Sequence, residues 1–332
     1  MACGTTSGPG SPRATDPVTK ATMPTNLASG AEYDTVGQKR WVWPGFALPG
    51  VVWLALLFLV PFYAIFAVAM GQLDPILQRA TPEWNPFYWD PTVFAEAFAD
   101  LFGGQLGVIA LRTIGYVFLA SAMCVLIGYP VAYFVSRKAG RWRWLWLLLI
   151  LAPFWINYLM RMMSWVNLLS PDGQFNSLLL NLFDVTDPPS WLAGQHLVVI
   201  FGLIYGYIPF FILPLFAALD RIDNATLEAS RDLGASNAQT FWRVTLPLSR
   251  NGVMGGLVII MLPMFGDYYT PNLLSGSPRT RMLGNTIDQL FNQTTSQGAV
   301  GAALTIILML FVSGLMVYYL RSINRATAEA RR

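Results

Sequence analysis

The sequence predicts an all-α membrane protein that crosses the bilayer six times. Of its 332 residues, 55% are hydrophobic and only 12% are charged, and the mean hydropathy is +0.48. A soluble domain carries roughly 25% charged residues, so this composition indicates an integral membrane protein. Six apolar stretches are each long enough, at about 1.5 Å per residue, to cross a hydrocarbon core of about 30 Å as a helix. We expect these helices at about 44–71, 107–136, 144–169, 196–219, 252–274 and 298–320.

Residue counts exclude several classes of function. The net charge of +3 gives no reason to expect a nucleic-acid partner. One histidine, His196, and two distant cysteines, Cys3 and Cys124, provide no set of zinc or haem ligands. The chain lacks a GxxxxGK[ST] phosphate-binding loop and any recognisable nucleophile and base, which argues against a membrane enzyme. We therefore expect no catalytic residue, metal or cofactor in this chain.

The chain is predicted to consist of a membrane domain between two tails. Residues 1–38 are rich in Gly, Ser, Thr and Pro and have no apolar period, which predicts a disordered tail. The membrane domain covers 39–322, and a short tail covers 323–332.

Basic residues gather in the loops on one side of the predicted helices. The opposite loops hold only three arginines and several acidic residues. By the positive-inside rule both termini, and therefore both tails, are cytoplasmic. The loop 224–247, between the fourth and fifth helices, is then cytoplasmic as well. The residues that set this orientation are Lys39, Arg40, Arg137, Lys138, Arg141, Arg143, Arg221, Arg231, Arg243, Arg250, Arg321, Arg325, Arg331 and Arg332.

The loop 224–247 has the pattern of two short helices. A side chain that can cap a helix precedes the first, and a glycine suited to a left-handed conformation closes it. A capping-box pair opens the second helix, and a proline is expected to end it. These signals are carried by Asp223 or Asn224, by Gly234, by Ser236 with Gln239, and by Pro247.

The same loop resembles the cytoplasmic loop of ABC-importer membrane subunits. Their pattern is EAA, then Gly after three further residues, then LP about a dozen residues later. This chain has EAS at 228–230, Gly234, and LP at 246–247, with Ser in place of the second Ala. The resemblance implies that the first helix docks on an ATPase subunit and couples ATP use to transport. The residues implied in docking are Glu228, Ala229, Ser230, Arg231, Asp232, Leu233 and Gly234.

Four more stretches resemble the B-type permease subunit of spermidine/putrescine importers. They are GYPVAYF at 128–134, APFWINYLMRMMSW at 152–165, LPMFGDYYTPNLLSG at 262–276 and GNTI at 284–287. The resemblance covers roughly 40–322 and implies a type I ABC importer permease fold in a bacterial inner membrane. It also implies a sister permease, two ATPase subunits that bind ATP and Mg, and an extracytoplasmic polyamine-binding protein.

The residues alone leave the role of Glu228 open. Its carboxylate can dock in a basic groove, or it can pair with Arg231 one turn on, which contributes only a few tenths of a kcal/mol. The resemblance favours docking.

Asp267 is the only acidic residue inside the six apolar stretches. It follows Gly252 by fifteen residues, which is about 22 Å along a helix. A carboxylate at that depth costs at least ~2.5 kcal/mol unless it faces a partner or water. A polyamine needs carboxylates for its ammonium groups and aromatic faces for its cationic ends. We therefore predict that Asp267, Tyr268 and Tyr269 line the substrate path; the alternative for Asp267 is a structural ion pair with Arg161.

The third stretch supplies the remaining candidates for the substrate path. Trp155 can form a cation–π contact, and Asn157 and Tyr158 lie close to it in sequence. Pro153 frees a backbone carbonyl and predicts a bend toward a cavity. Packing against lipid or a neighbouring helix explains Trp155 about equally well, and Asn157 could equally bond a neighbouring helix.

Two other functions remain as alternatives. An importer of this class could carry another small cationic or amino-acid-like solute, and the sequence does not separate spermidine from putrescine. An ion-gradient transporter would require broken helices, an inverted repeat and usually more intramembrane acids. The single acid Asp267 and the cytoplasmic helix pair argue against it.

Overall fold

The computed structural model describes residues 42–72, 76, 80–183, 189–293 and 297–329. The predicted tail 1–38 lies outside the described residues. Thirteen α-helices occur in the described part. In chain order they are α1 (Val42–Ala69), α2 (Thr92–Gly103), α3 (Gln105–Arg137), α4 (Arg143–Leu151), α5 (Tyr158–Leu169), α6 (Gln174–Phe183), α7 (His196–Asp220), α8 (Asn224–Asp232), α9 (Asn237–Thr240), α10 (Leu246–Phe265), α11 (Tyr269–Leu274), α12 (Leu283–Gln293) and α13 (Gly298–Glu329).

Contacts divide the chain into two units, Met1–Leu57 and Phe58–Arg332. The described part of the first unit is the amino-terminal half of α1. Its side chains from Ala47 onward are apolar and almost all exposed, as a helix surrounded by lipid requires. The second unit contains the rest of the described chain, including every candidate site residue.

The described helices confirm the predicted fold class. Five of them are long and apolar enough to span a membrane, and a bent pair of helices makes a sixth span if it crosses as one unit. Helices satisfy all backbone hydrogen bonds internally, which is the condition for crossing lipid.

The third predicted helix, 144–169, is broken in the structure. α4 ends at Leu151, a 3-10 turn covers Ala152–Trp155, and α5 begins at Tyr158. The helical segments on either side of the break meet at 84°. Pro153 lacks a backbone N–H and cannot continue the hydrogen-bond ladder, which accounts for the position of the break.

The ends of the fifth and sixth helices also differ from the prediction. α10 begins at Leu246 and ends at Phe265, and the residues up to Leu274 form the separate helix α11. Asp267 accepts a hydrogen bond from the backbone N–H of Thr270 at 3.1 Å. A side chain bonded to the nearby backbone in this way competes with helix continuation. α13 runs to Glu329, well beyond the predicted end of the sixth helix.

The main core lies where α3, α7 and α10 pack together. Phe211 of α7 is fully buried at its centre. A Cβ atom at Gly128 of α3 or at Gly256 of α10 would lie 2.8 Å from the Phe211 ring. The two glycines therefore make room for one aromatic side chain between three helices, the close helix approach that small residues permit in membranes.

Candidate functional site: a polar cavity and an exposed helical loop

A cavity of about 340 Å³ lies where α5, α7 and the α10–α11 junction meet. The broken helices place polar side chains at this point, since the loop between α10 and α11 carries an acid and α5 begins at a tyrosine. The cavity is lined by Tyr158, Arg161, Gly206, Tyr207, Phe210, Pro263, Gly266, Asp267, Tyr268 and Tyr269.

Asp267 is held by four hydrogen bonds inside the protein. Its side chain is only 6% exposed. Oδ2 accepts from the hydroxyls of Tyr158 and Tyr207, both at 3.3 Å, and from Thr270 Oγ1 at 2.6 Å. Oδ1 accepts from the backbone N–H of Thr270. Burying a carboxylate without hydrogen-bond partners is costly, and these four hydrogen bonds offset part of that cost.

The alternative considered for Asp267, an ion pair with Arg161, is not formed among the described residues. Arg161 is 8% exposed, and its Cζ lies 4.0 Å from the ring centroid of Phe154. The rings of Tyr158 and Tyr205 lie at 5.6 and 5.9 Å. The guanidinium is thus surrounded by aromatic faces, while the carboxylate is held by hydroxyls.

The structure brings together four of the six predicted path residues. Tyr158, Asp267, Tyr268 and Tyr269 all line the cavity, and the rings of the last two lie 3.8 Å apart between centroids. Trp155 is 77% exposed and does not line the cavity.

Asn157 has a local role at the break between α4 and α5. Its side chain accepts a hydrogen bond from the backbone N–H of Leu159 at 2.9 Å and so caps α5. This bond satisfies one of the free donors at the start of a helix. The cap fixes the beginning of α5 and thereby the position of Tyr158.

Tyr207 and Thr270 are site residues that the sequence analysis missed. Both donate to Asp267. Tyr207 lies sixty residues from Asp267, so only the packing of α7 against the α10–α11 junction reveals it. Thr270 had a signal in sequence: a hydroxyl three residues after an acid is placed to bond it.

Gly284 keeps the backbone around Asp267 in position. A Cβ atom at Gly284 would lie 2.6 Å from the carbonyl oxygen of Gly266 and 2.8 Å from that of Asp267. These are backbone atoms, so they cannot move aside as a flexible side chain does. α12 can therefore approach the α10–α11 junction only through a glycine.

We expect Gly284→Ala to destabilise the protein by about 1–3 kcal/mol, the usual cost of inserting volume into a packed region. Thermal unfolding of the purified protein in detergent measures the effect. Gly115→Ala is the matched control, because a Cβ atom there has no neighbour within 4 Å. An unchanged melting temperature in Gly284→Ala would show that the backbone of Gly266 and Asp267 can shift at little cost to accommodate the added methyl group.

The predicted helix pair at 224–247 is present, and its cap residues are confirmed. Asp223 caps α8 by accepting from the N–H of Ala225 at 3.1 Å, and Gly234 has φ +85°. Ser236 and Gln239 form a complete capping box.

Pro247 does not end the second helix of this pair, contrary to the prediction. α9 passes through a π-helical segment, Phe241–Thr245, directly into α10. Pro247 lies in the first turn of α10. Its missing N–H has little cost at the start of a helix.

α8 presents an exposed surface. Glu228, Ala229, Arg231 and Asp232 are exposed, and the apolar side chain of Leu233 is 89% exposed. The alternative pair between Glu228 and Arg231 is not formed, since neither residue has an ion-pair partner in the described part of the chain. The charged groups of this helix and one large apolar side chain are therefore free for a partner.

Arg137 ties α8 to two membrane helices. From the end of α3, its Nη2 donates to the carbonyl oxygens of Leu219 and Ile222 at 2.6 and 2.7 Å. Its Nη1 donates to Asn224 Oδ1, at the start of α8, at 2.8 Å. Carbonyls at a helix end lack intrahelical donors, and a cation there also interacts favourably with the helix dipole. The position of α8 is thus linked to α3 as well as to its chain neighbour α7.

The chain matches a known family over more than half its length. Residues 124–325 match the family described as binding-protein-dependent transport system inner membrane component. The chain belongs to this family. As a binding-protein-dependent inner membrane component it is a multi-pass membrane protein, in agreement with its apolar helices.

Curated relatives cover most of this inner membrane component. It is 32% identical over 270 residues to the spermidine/putrescine transport system permease protein PotB of Haemophilus influenzae, which covers 80% of this chain and 89% of that protein. It is 34% identical over 214 residues to PotB of Escherichia coli K12, which covers 64% of this chain and 77% of that one. These relatives are permease subunits.

A solved structure shows the same fold. It is a bacterial alginate ABC transporter in complex with alginate pentasaccharide-bound periplasmic protein, and the matched chain has a TM-score of 0.64 and 20% identity. The match covers 86% of this chain and 95% of that chain. The binding-protein-dependent inner membrane component therefore has the permease fold of a type I ABC importer.

Proposed function

We propose that this chain is the non-catalytic membrane subunit of an ATP-driven importer that carries polyamines inward. The observation that carries this proposal is the 32% identity to a spermidine/putrescine permease across 89% of that protein's length.

The cavity chemistry supports a cationic substrate. Asp267 supplies a negative charge, and Tyr158, Tyr207, Tyr268 and Tyr269 supply aromatic faces and hydroxyls around it. Ammonium groups bind carboxylates through charge-assisted hydrogen bonds and bind aromatic faces through cation–π contact. The polyamine path passes this cavity, with Asp267 as its central anionic group.

Partner subunits complete the transporter. A sister permease forms the other half of the pathway, two ATPase subunits bind ATP and Mg, and an extracytoplasmic protein delivers the polyamine. The exposed α8 surface, Glu228–Gly234, docks on one ATPase. A short helix fixed to two membrane helices transmits a rigid displacement, which is what coupling requires.

The loop charges orient the subunit in a bacterial inner membrane. Arg137 bonds the first residue of α8, Arg143 pairs with Asp220 at the end of α7, and Arg221 follows that residue. By the positive-inside rule we expect this end of the bundle in the cytoplasm. Both termini are then cytoplasmic, and the opening of the pathway to the binding protein is on the other side.

The decisive experiment reconstitutes the complete complex in vesicles. Spermidine-loaded binding protein is expected to stimulate ATP hydrolysis and to drive spermidine uptake. Putrescine-loaded and amino-acid-loaded binding proteins are tested in parallel. If only the amino-acid-loaded binding protein stimulates hydrolysis, the substrate is an amino-acid-like solute and not a polyamine. If the chain never co-purifies with an ATPase, the proposal that it belongs to an ABC importer is wrong.

Arg137→Gln is expected to lower transport several-fold while ATP hydrolysis continues. Hydrogen bonds to a charged group contribute about 1.5–3 kcal/mol each. This variant removes the charge from the one bond to α8 and from the two bonds to the carbonyl oxygens of Leu219 and Ile222. The ratio of spermidine transported to ATP hydrolysed measures the effect in vesicles.

Arg221→Gln is the matched control for this variant, because Arg221 is an exposed arginine of the adjoining turn. Arg137→Lys is expected to restore coupling only partly, since an ammonium group cannot reproduce the guanidinium fork. An unchanged ratio in Arg137→Gln, in a fully assembled complex, would show that α8 moves independently of α3.

A further inference from the structure

Arg161 differs from Arg112 and Arg137 because its guanidinium has no hydrogen-bond acceptor in the described structure. Arg137 has three oxygen acceptors, although its Nε is buried without one, and Arg112 donates to the backbone carbonyls of Pro278 and Arg281. In Arg161 both Nε and Nη1 are buried without a hydrogen-bond acceptor. Buried donors almost always have an acceptor, because leaving one unpaired is costly. Nothing in the described surroundings therefore anchors Arg161 as the other two are anchored.

Three aromatic rings enclose the Arg161 guanidinium. Its Cζ lies 4.0, 5.6 and 5.9 Å from the ring centroids of Phe154, Tyr158 and Tyr205. Phe154 and Tyr205 also contact each other, with ring centroids 6.1 Å apart. Cations are held over aromatic faces within about 6 Å, and a cage of several rings is a known receptor for organic ammonium groups. We call Phe154, Tyr158 and Tyr205 the aromatic box.

The aromatic box borders the cavity that contains Asp267, and of its three residues Tyr158 lines that cavity. Tyr158 belongs to both sites, since its ring faces Arg161 and its hydroxyl donates to Asp267. Arg161 and Asp267 both line the cavity but form no ion pair in the described structure. A diamine that entered here would find one anionic group and one aromatic cation site, and the second of these is already filled by the protein's own cation.

We propose that the aromatic box is the binding site for one ammonium group of the polyamine, and that Arg161 occupies it until substrate displaces the guanidinium. The inference rests on the proposed polyamine transport. It adds that Arg161 competes with the polyamine for the aromatic box. When an ammonium group binds in the aromatic box, the Arg161 guanidinium leaves it and can pair with a carboxylate oxygen of Asp267. When the polyamine leaves, Arg161 returns, so an empty transporter does not retain an open cation site.

The experiment measures the affinity of radiolabelled spermidine for the assembled complex in nanodiscs, without binding protein. Arg161→Gln removes the competing charge and is expected to tighten binding about tenfold, the order of one desolvated cation–π contact. Arg161→Lys keeps a cation in the box and is expected to stay near the wild type. Arg279→Gln, an exposed arginine away from the cavity, is the control for loss of charge.

A second variant separates competition from a structural role. Tyr205→Leu removes one wall of the box and is expected to weaken spermidine binding in the Arg161→Gln background, where no competitor remains. If Arg161→Gln does not assemble, Arg161→Met replaces it, because methionine fills similar space without charge. Unchanged or weaker binding in the assembled uncharged variant overturns the proposal.

The same wild-type preparation distinguishes this inference from the proposed function. Stimulation of ATP hydrolysis by spermidine-loaded binding protein, together with no gain of affinity in Arg161→Gln, refutes the aromatic box alone. If spermidine neither stimulates ATP hydrolysis nor binds, the proposed polyamine transport is wrong, and the proposed role of the aromatic box is wrong as well.

Discussion

Asp267→Asn is expected to reduce polyamine uptake at least about tenfold while the protein still inserts and assembles. The amide has nearly the same shape as the carboxylate but carries no charge for an ammonium group, and a charge-assisted hydrogen bond contributes about 1.5–3 kcal/mol. Its NH₂ group also cannot accept the hydrogen bonds of the oxygen that it replaces; Oδ2 now accepts from the hydroxyls of Tyr158, Tyr207 and Thr270, and Oδ1 from the backbone N–H of Thr270. Uptake of radiolabelled spermidine at matched expression measures the effect.

Asp172→Asn is the matched control for this prediction, since Asp172 is an exposed acid outside the cavity. It is expected to transport like the wild type. Wild-type uptake by Asp267→Asn, at equal abundance in the membrane, would remove Asp267 from the polyamine path. Its hydrogen bonds would then serve only to stabilise the α10–α11 junction.

Gly234→Val is expected to uncouple ATP hydrolysis from transport. Gly234 has φ +85°, in the left-handed region that a β-branched residue resists by roughly 1–2 kcal/mol or more. A Cβ atom there has no neighbour within 4 Å, so the strain is confined to the backbone and the membrane helices need not repack. We expect the end of α8 to tilt and relieve this strain, which displaces the proposed docking surface Glu228–Gly234.

Gly234→Asn separates conformation from side-chain size, because asparagine tolerates the left-handed region better than other residues with a Cβ atom. We expect it to retain most coupling. The measurement is spermidine transported per ATP hydrolysed in reconstituted vesicles. Equal ratios for valine, asparagine and glycine at this position would show that the turn after α8 does not transmit force.

Much of the candidate site was predictable because single residues stood out from their surroundings. A lone carboxylate in an apolar stretch is too costly to leave without a role, so Asp267 was identified from sequence. The same reasoning could not find Tyr207, whose type is ordinary in a membrane helix. The charge of Arg161 is evident from the sequence, but its neighbours are not. A pair with Asp267 was only the alternative interpretation, and the structure shows three aromatic rings around the guanidinium.

The helix pair at 224–247 illustrates how much short-range sequence signals can predict. Caps and turns depend on residues within four positions of one another, so Asp223, Gly234 and the Ser236 capping box were predicted correctly. Pro247 was assigned the wrong role, because a proline at the first turn of a helix and a proline after its end share one sequence signal.

The sequence by itself determined that this protein is helical, lies in a membrane and carries a capped helix pair between two spans. These properties depend on composition, apolar length and short-range backbone chemistry, which act along the chain. Only the tertiary structure decided that the segments Gly140–Trp155 and Tyr158–Asn181 meet at 84°, that Tyr158 and Tyr207 share one carboxylate, and that Arg161 lies in an aromatic box. Those arrangements depend on which helix faces pack together, and packing joins residues whose distance in sequence carries no signal of their contact.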